Sequence, residues 1–173
     1  METEEIMKYI GQKNIELFLD FLKKNNHGMK PISEKELERI ELLANGQKLP
    51  DDYLQFMKKA GNGIEFLRGS SYTMQEIGKL KNGAIELLEE DESDEALSDN
   101  DFVFFMHQGY QFYFFRLDEF PNPAIYYYGE GENSARFIYK YDSLLDFLIE
   151  NYNAVSEYLY TCYNNSRLGQ PKK

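Results

Sequence analysis

The chain has few of the side chains on which most enzyme sites depend. Its 173 residues include one cysteine, Cys162, and two histidines. A lone cysteine excludes an internal disulfide, and a Cys-His pair would rest only on both residue types being present. His107 ends an aromatic segment beside Gln108-Gly109, where a hydrogen-bonded structural histidine is expected. We therefore predict no catalytic residue.

Signals for membrane insertion, phosphate binding and metal binding are also missing. No apolar run approaches the roughly 20 residues that cross a bilayer. Residues 1–5 are acidic where a secretory signal would be basic, so a cytoplasmic location is expected. Gly61-Asn62-Gly63 lacks the lysine of a phosphate-binding loop. Counting from Asp91, an EF-hand would need glycine and glutamate where Ala96 and Phe102 stand, so we predict no metal and no cofactor.

Basic residues are outnumbered, 19 against 30 acidic ones, and the net charge is -11. Such a field repels nucleic acid and anionic membranes and attracts basic surfaces, although acidity can also serve solubility alone. The charge is concentrated in residues 86–101, which contain no Lys or Arg, and residues 91–101 are predicted to form a solvated loop. The acidic residues of this stretch are Glu86, Glu89, Glu90, Asp91, Glu92, Asp94, Glu95, Asp99 and Asp101.

The most diagnostic segment is Leu-Pro-Asp-Asp-Tyr at residues 49–53. Proline is favoured at the first helical position, and the two aspartates place negative charge at the positive end of the helix. Gly61 and Gly63 then follow and are predicted to take positive φ, ending the helix and leading into a strand at residues 64–67. The predicted buried face of this helix consists of Tyr53, Phe56, Met57 and Ala60.

Other helices are predicted from periodicity and capping signals. Residues 4–24 fit one amphipathic helix or two helices broken near residues 11–14, and Ser33 with Glu36 predicts a capping box for the next helix. Residues 71–73 are predicted to be extended, and residues 74–90 return to helical spacing with a break at Asn82-Gly83. The last helix is predicted to begin at Asp142 or Ser143.

The sheet is predicted in residues 102–141, which hold 15 of the 27 aromatic residues. Strands are expected at 102–106, 110–117, 124–128 and 135–139, and their short connections favour an antiparallel meander. The predicted class is therefore α+β, with an antiparallel, aromatic-rich sheet, N-terminal helices and a C-terminal helix packed on one face.

The ordered set of a helix, the Leu-Pro-x-x-Tyr helix, a glycine break, aromatic strands and a closing helix resembles the SUKH superfamily. Its members include bacterial immunity proteins and fungal regulators of cell-wall synthesis, and the resemblance runs from about residue 31 to residue 152. The length favours one domain over 1–173. Within it we expect a helical extension at 1–30, a SUKH-like core at 31–155 and a flexible tail at 161–173.

Tyrosines on or beside the predicted strands suggest a contact surface. Both faces of the sheet carry rings, and a face that helices cover only partly would present tyrosines to a partner. Strand alternation sends the middle ring of Tyr126-Tyr127-Tyr128 to the face opposite its neighbours, so at least one ring should meet solvent or a partner. The alternative is that helices cover both faces or that the sheet curls on itself.

The resemblance and the charge together predict a non-enzymatic immunity protein that neutralises a basic, nuclease-like toxin. A regulatory scaffold of the fungal type is the alternative, and a hydrolase is a remote one. The residues predicted to attract the toxin are Asp91, Glu92, Asp94, Glu95, Asp99 and Asp101, with Glu130 and Glu132 nearby. Those predicted to make the desolvated contact are Tyr126, Tyr127 and Tyr128.

Overall fold

The computed structural model describes residues 14–131 and 136–168, with side chains up to residue 157. Among the described residues it contains five α-helices and two short 3₁₀ turns. The helices are α1 (Ile15–Lys24), α2 (Glu34–Leu42), α3 (Asp51–Ala60), α4 (Ile77–Glu90) and α5 (Leu144–Leu168), and the turns are Glu65–Leu67 and Leu117–Glu119. Helix α5 thus runs into the segment expected to form a tail.

Five antiparallel strands form one sheet in their sequence order, so the predicted meander and the α+β class are confirmed. The strands are β1 (Ser70–Ser71), β2 (Asp101–His107), β3 (Gln111–Arg116), β4 (Ile125–Gly129) and β5 (Ile138–Tyr141). The predicted turn between β2 and β3 has positive φ at both Gln108 and Gly109. That geometry matches the twist of the strands that the turn connects.

The predicted helix starts are confirmed where capping partners lie close in sequence. The Ser33 Oγ accepts a hydrogen bond from the Glu36 N–H at 3.3 Å, and the Glu36 Oε2 accepts one from the Ser33 N–H at 2.8 Å. This reciprocal pair satisfies two backbone donors that the first turn leaves free. Pro50 occupies the N-cap of α3, one residue before the first helical position that was predicted for it, whereas the predicted buried face of that helix is confirmed.

Gly61 is needed at the end of α3 because of its small volume and not because of its backbone angle. Its φ is -66°, so the predicted positive φ is wrong here, whereas Gly63 has the predicted positive value of +138°. A Cβ at Gly61 would lie 2.5 Å from the Met57 carbonyl oxygen and 2.8 Å from the Ile32 Cγ2. Both distances are too short for a real contact, so the helix end leaves no room for a side chain.

Substituting Gly61→Ala is therefore expected to destabilise the protein by about 1–3 kcal/mol, because the added methyl overpacks against a backbone carbonyl. Gly78→Ala in α4 is the matched control, since a Cβ there meets nothing within 4 Å. That change should be neutral or stabilising, as alanine favours helix. Urea unfolding of both variants gives the comparison, and equal stabilities would contradict the crowding explanation.

Two segments differ from their predicted structure. Residues 64–67 were predicted to be a strand, but residues 65–67 form a 3₁₀ turn that buries Phe66 and Leu67. The extended segment predicted at residues 71–73 is found in part as β1, which covers residues 70–71 and pairs with the end of β2. Helix α4 begins at Ile77, three residues later than predicted, and continues unbroken through Asn82-Gly83. Gly83 lies where α4 packs on β2, and a Cβ there would be in ordinary contact with the end of the Met106 side chain, at 3.6 Å.

One face of the sheet packs on α3 and α5. The Tyr53 ring meets the Phe102 and Phe115 rings edge-on, with centroids 5.4 and 5.3 Å apart. The Phe147 ring of α5 meets Tyr113 at 5.0 Å and Phe105 at 5.1 Å. Such offset and edge-to-face pairs add to the stabilisation that burial gives. The predicted packing of the C-terminal helix on one face is confirmed.

Helix α4 packs on β2 at the opposite face, and the segment after it is bound to that face by hydrogen bonds from Tyr128 and Phe137. The predicted alternative, in which helices lie on both faces, is therefore closer to the structure than an open tyrosine face. The exceptions lie at the edge strand β5, where Ile138 is 42% exposed and Tyr139 is 56% exposed.

Candidate functional site

The acidic segment, residues 91–101, is anchored to the sheet and is not a free loop. The Tyr128 hydroxyl donates a hydrogen bond to the Asp91 carboxylate, and the Phe137 N–H donates to the Glu95 Oε1 at 3.2 Å. The Lys81 Nζ of α4 donates to the Ser98 carbonyl oxygen at 2.6 Å. The carboxylates of Asp91 and Glu95 thus accept hydrogen bonds from the sheet region and hold the segment over the aromatic face.

Asp101, one of the residues predicted to attract a partner, is buried among internal partners. It is the first residue of β2 and is only 5% exposed. Its Oδ2 accepts hydrogen bonds from the Ser98 N–H at 2.7 Å and the Ser98 hydroxyl at 2.9 Å. Its Oδ1 lies 3.5 Å from the Arg116 Nε, which is an ion-pair distance longer than a strong hydrogen bond. This burial depends on the sheet pairing of Asp101 with Arg116, which the sequence pattern does not show.

Five acidic residues in and just after the last turns of α4 are exposed. Residues three and four apart on a helix share one face, and the segment after the helix adds two more carboxylates. We call this group the acidic surface, and it consists of Glu86, Glu89, Glu90, Glu92 and Asp94, all of them exposed. Asp99 is also exposed, farther along the acidic segment.

Two of the three predicted contact tyrosines are interior residues. Tyr128 is fully buried, and its pKa is raised by burial, by the hydrogen bond to Asp91 and, to a smaller degree, by the charge of Glu130. Tyr127 is 6% exposed, and its ring lies 4.9 Å from Tyr113 with the Lys140 Nζ 5.5 Å from its centroid. These residues therefore stabilise the sheet. Glu130 is exposed and lies two residues after Tyr128, whose hydroxyl binds Asp91 of the acidic segment. Glu132 lies outside the described residues.

Tyr126 is the half-buried member of the three and is the one that reaches the surface. Its hydroxyl donates to the Glu119 Oε1 at 2.6 Å, and the Arg116 guanidinium carbon lies 4.2 Å from its ring centroid. Burial is the largest cause that raises the pKa of Tyr126, and the hydrogen bond to Glu119 and the charge of Glu119 raise it further. Tyr139 pairs with it across β4 and β5 and meets its ring edge-on at 6.1 Å. Tyr139 was not among the predicted contact residues, and it is 56% exposed.

The described residues offer little to catalysis. The His107 Nδ1 lies 2.8 Å from the Ser70 Oγ, a hydrogen bond that ties the two-residue β1 to β2. No three His, Cys, Asp or Glu side chains converge to hold a metal ion within the described part of the chain. The same part contains no helix that could span a membrane. The Cys162 side chain lies outside the described side chains.

Comparison with known protein families agrees with the fold and the motif order. A family model described as SUKH_6, SMI1-KNR4 cell-wall, matches residues 34–148, which is more than half of the chain. No curated protein matches the chain significantly. Proteins of this family are generally non-catalytic and act through protein–protein interaction. The matched region runs from the first residue of α2 into α5, and the chain belongs to the SUKH superfamily.

Proposed function

We propose that this protein is an immunity protein that binds a cognate bacterial toxin stoichiometrically in the cytoplasm and blocks it without catalysis. The toxin partner is basic and nuclease-like. An enzyme that handles phosphates needs a cationic surface, and a dense group of carboxylates complements that surface as the substrate does. The net charge of -11 supports attraction at long range.

The observation that carries the proposal is where the acidic surface lies on α4. The helix ends at Glu90, and its last turn contains no basic residue. Negative side chains at the negative end of a helix destabilise it by about 0.3–1 kcal/mol each, and like charges four residues apart repel. Glu86, Glu89 and Glu90 therefore lower the stability of α4 compared with neutral residues at the same positions. A partner that needs their charge explains why they stand there.

Co-expression tests the proposal directly. The toxin encoded beside this chain should stop growth when it is expressed alone, and co-expression of this protein should restore growth. The two proteins should also co-elute as a complex of fixed stoichiometry. Loss of toxicity without a complex, or a complex without rescue, would contradict stoichiometric inhibition.

A regulatory scaffold is the second candidate, and the cell-wall description of the matching family favours it. A scaffold binds several partners through one surface and silences none of them. Affinity capture separates the two functions. An inhibitor should retain one dominant partner, whereas several unrelated partners of comparable abundance would favour the scaffold.

A further inference from the structure

A cavity of about 220 Å³ lies beside the Leu-Pro-x-x-Tyr motif. It is formed where the first turns of α3 and α5 meet the turn before β4. Its apolar walls include Pro50, Phe115, Pro123 and Ile125. This volume is smaller than the roughly 300–1,000 Å³ of pockets that take drug-sized ligands. The cavity therefore suits one side chain or a molecule of similar size.

Tyr53 lines this cavity and carries an unused polar group. Its side chain is 1% exposed, and the Phe102 and Phe115 rings hold it in place. Its hydroxyl makes no hydrogen bond among the described residues. Burial raises the pKa of Tyr53, so the hydroxyl stays protonated and can both donate and accept. Leaving such a group unpaired in the interior is unfavourable, and a bound polar atom would remove that penalty.

The charged groups of the cavity are both acidic. Asp52 is half-buried, and its pKa is raised first by burial and then by the charge of Asp51. No basic residue of the described chain forms an ion pair with Asp52. Asp142 also lines the cavity and accepts a hydrogen bond from the Tyr139 hydroxyl. The nearby Lys48 has its Nζ 6.0 Å from the Phe120 ring centroid and is not among the lining residues.

This arrangement favours a cation over an anion. Helix N-termini attract anions, but here acidic side chains already occupy the first turns of both helices, at Asp51, Asp52 and Asp146. A second anion would be repelled by them. A cation would instead neutralise Asp52, whose charge has no described counterion. Lysine and arginine add to this an apolar stem that packs well on proline and aliphatic surfaces.

We propose that the cavity is a docking pocket for a lysine or arginine side chain of the protein partner. The methylene stem lies against Pro50 and Pro123, and the cationic head lies between the Asp52 and Asp142 carboxylates with the Tyr53 hydroxyl as a further acceptor. The inference rests on the proposed function for the source of that side chain. It assigns the Leu-Pro-x-x-Tyr motif a binding role besides its role in starting α3.

The test uses the full chain and single-residue probes. N-acetyl-arginine amide and N-acetyl-lysine amide are titrated separately while amide chemical shifts are followed by NMR, with N-acetyl-norleucine amide as the uncharged probe. Saturable shifts at Tyr53 and Leu144 are expected with the two cationic probes, at least tenfold tighter than with norleucine amide. Equal binding of all three probes, or shifts confined to the acidic surface, would overturn the proposal.

Variants of neighbouring residues sharpen the test. Asp52→Asn should weaken cationic probe binding at least fivefold, whereas Asp51→Asn, the exposed neighbour outside the cavity, should leave binding within twofold. Tyr53→Phe should weaken binding while raising the melting temperature, because it removes an unpaired buried hydroxyl. Equal losses for the two aspartate variants, or a Tyr53→Phe protein that binds as the parent does, would contradict the assignment.

These outcomes are independent of the toxin. If the probes fail to bind while co-expression still rescues growth, the docking pocket is wrong and the immunity function stands. If the probes bind and no toxin is neutralised, the pocket remains and the immunity function is wrong.

Discussion

Phe147→Ala is expected to lower the free energy of unfolding by about 3–5 kcal/mol, the usual cost of truncating a fully buried phenylalanine. The Phe147 ring of α5 is 1% exposed and touches rings on three strands, Phe105 of β2, Tyr113 of β3 and Tyr141 of β5. Its removal leaves a cavity where the last helix joins the sheet. Urea denaturation should show a lower midpoint with an unchanged slope.

Leu42→Ala provides the control for that substitution. Leu42 is 77% exposed on α2, so its truncation should change stability by about 0.5 kcal/mol or less. A loss of similar size at both positions would mean that α5 does not depend on this aromatic junction. A Phe147→Ala protein as stable as the parent would contradict the packing described for this face.

Removing four charges of the acidic surface is expected to slow association with the toxin by about tenfold or more at low salt. The variant carries Gln at Glu89, Glu90 and Glu92 and Asn at Asp94. Exposed charges act mainly by steering the encounter, so the dissociation rate should change little and the salt dependence of the association rate should flatten. Stopped-flow or surface-based kinetics at several ionic strengths measure both rates. These four carboxylates form no side-chain hydrogen bond or ion pair among the described residues, so the melting temperature should not fall.

The matched control removes the same number of charges elsewhere. Glu16, Glu38, Glu41 and Glu65 are exposed on the N-terminal half of the chain. Their replacement by Gln should alter the net charge equally and the association rate much less. If both variants slow association alike, net charge and not the acidic surface attracts the partner. If neither does, electrostatic steering is wrong even where inhibition survives.

The elements that depend on residues close together in the sequence were predicted correctly. The Ser33–Glu36 capping box needs two partners three residues apart, and the Gln108-Gly109 turn needs only its own backbone angles. Residues 64–67 were mispredicted because their apolar character fits a strand as well as a buried turn. A distant contact decides between them, since Phe66 of the turn meets the Tyr152 ring of α5 at 5.7 Å.

The candidate site was predicted only in its composition. The excess of acids in residues 86–101 is visible in the chain, but exposure separates Glu92 and Asp94 from the buried Asp101. Asp52 and Tyr53 were recognised as parts of a helix start. Their place in a cavity depends on Phe115 and Asp142, which are far away in the sequence.

The sequence by itself determined the antiparallel order of the strands, the main helix starts and the strongly negative charge. All of these follow from periodicity, capping and composition over a few neighbouring residues. The tertiary structure decided which acids face solvent, which tyrosines are buried and where the motif opens into a cavity. Those properties depend on contacts such as the one between Asp91 and Tyr128, whose partners are 37 residues apart. Burial is set by what the whole chain places around a side chain, and no local pattern contains that information.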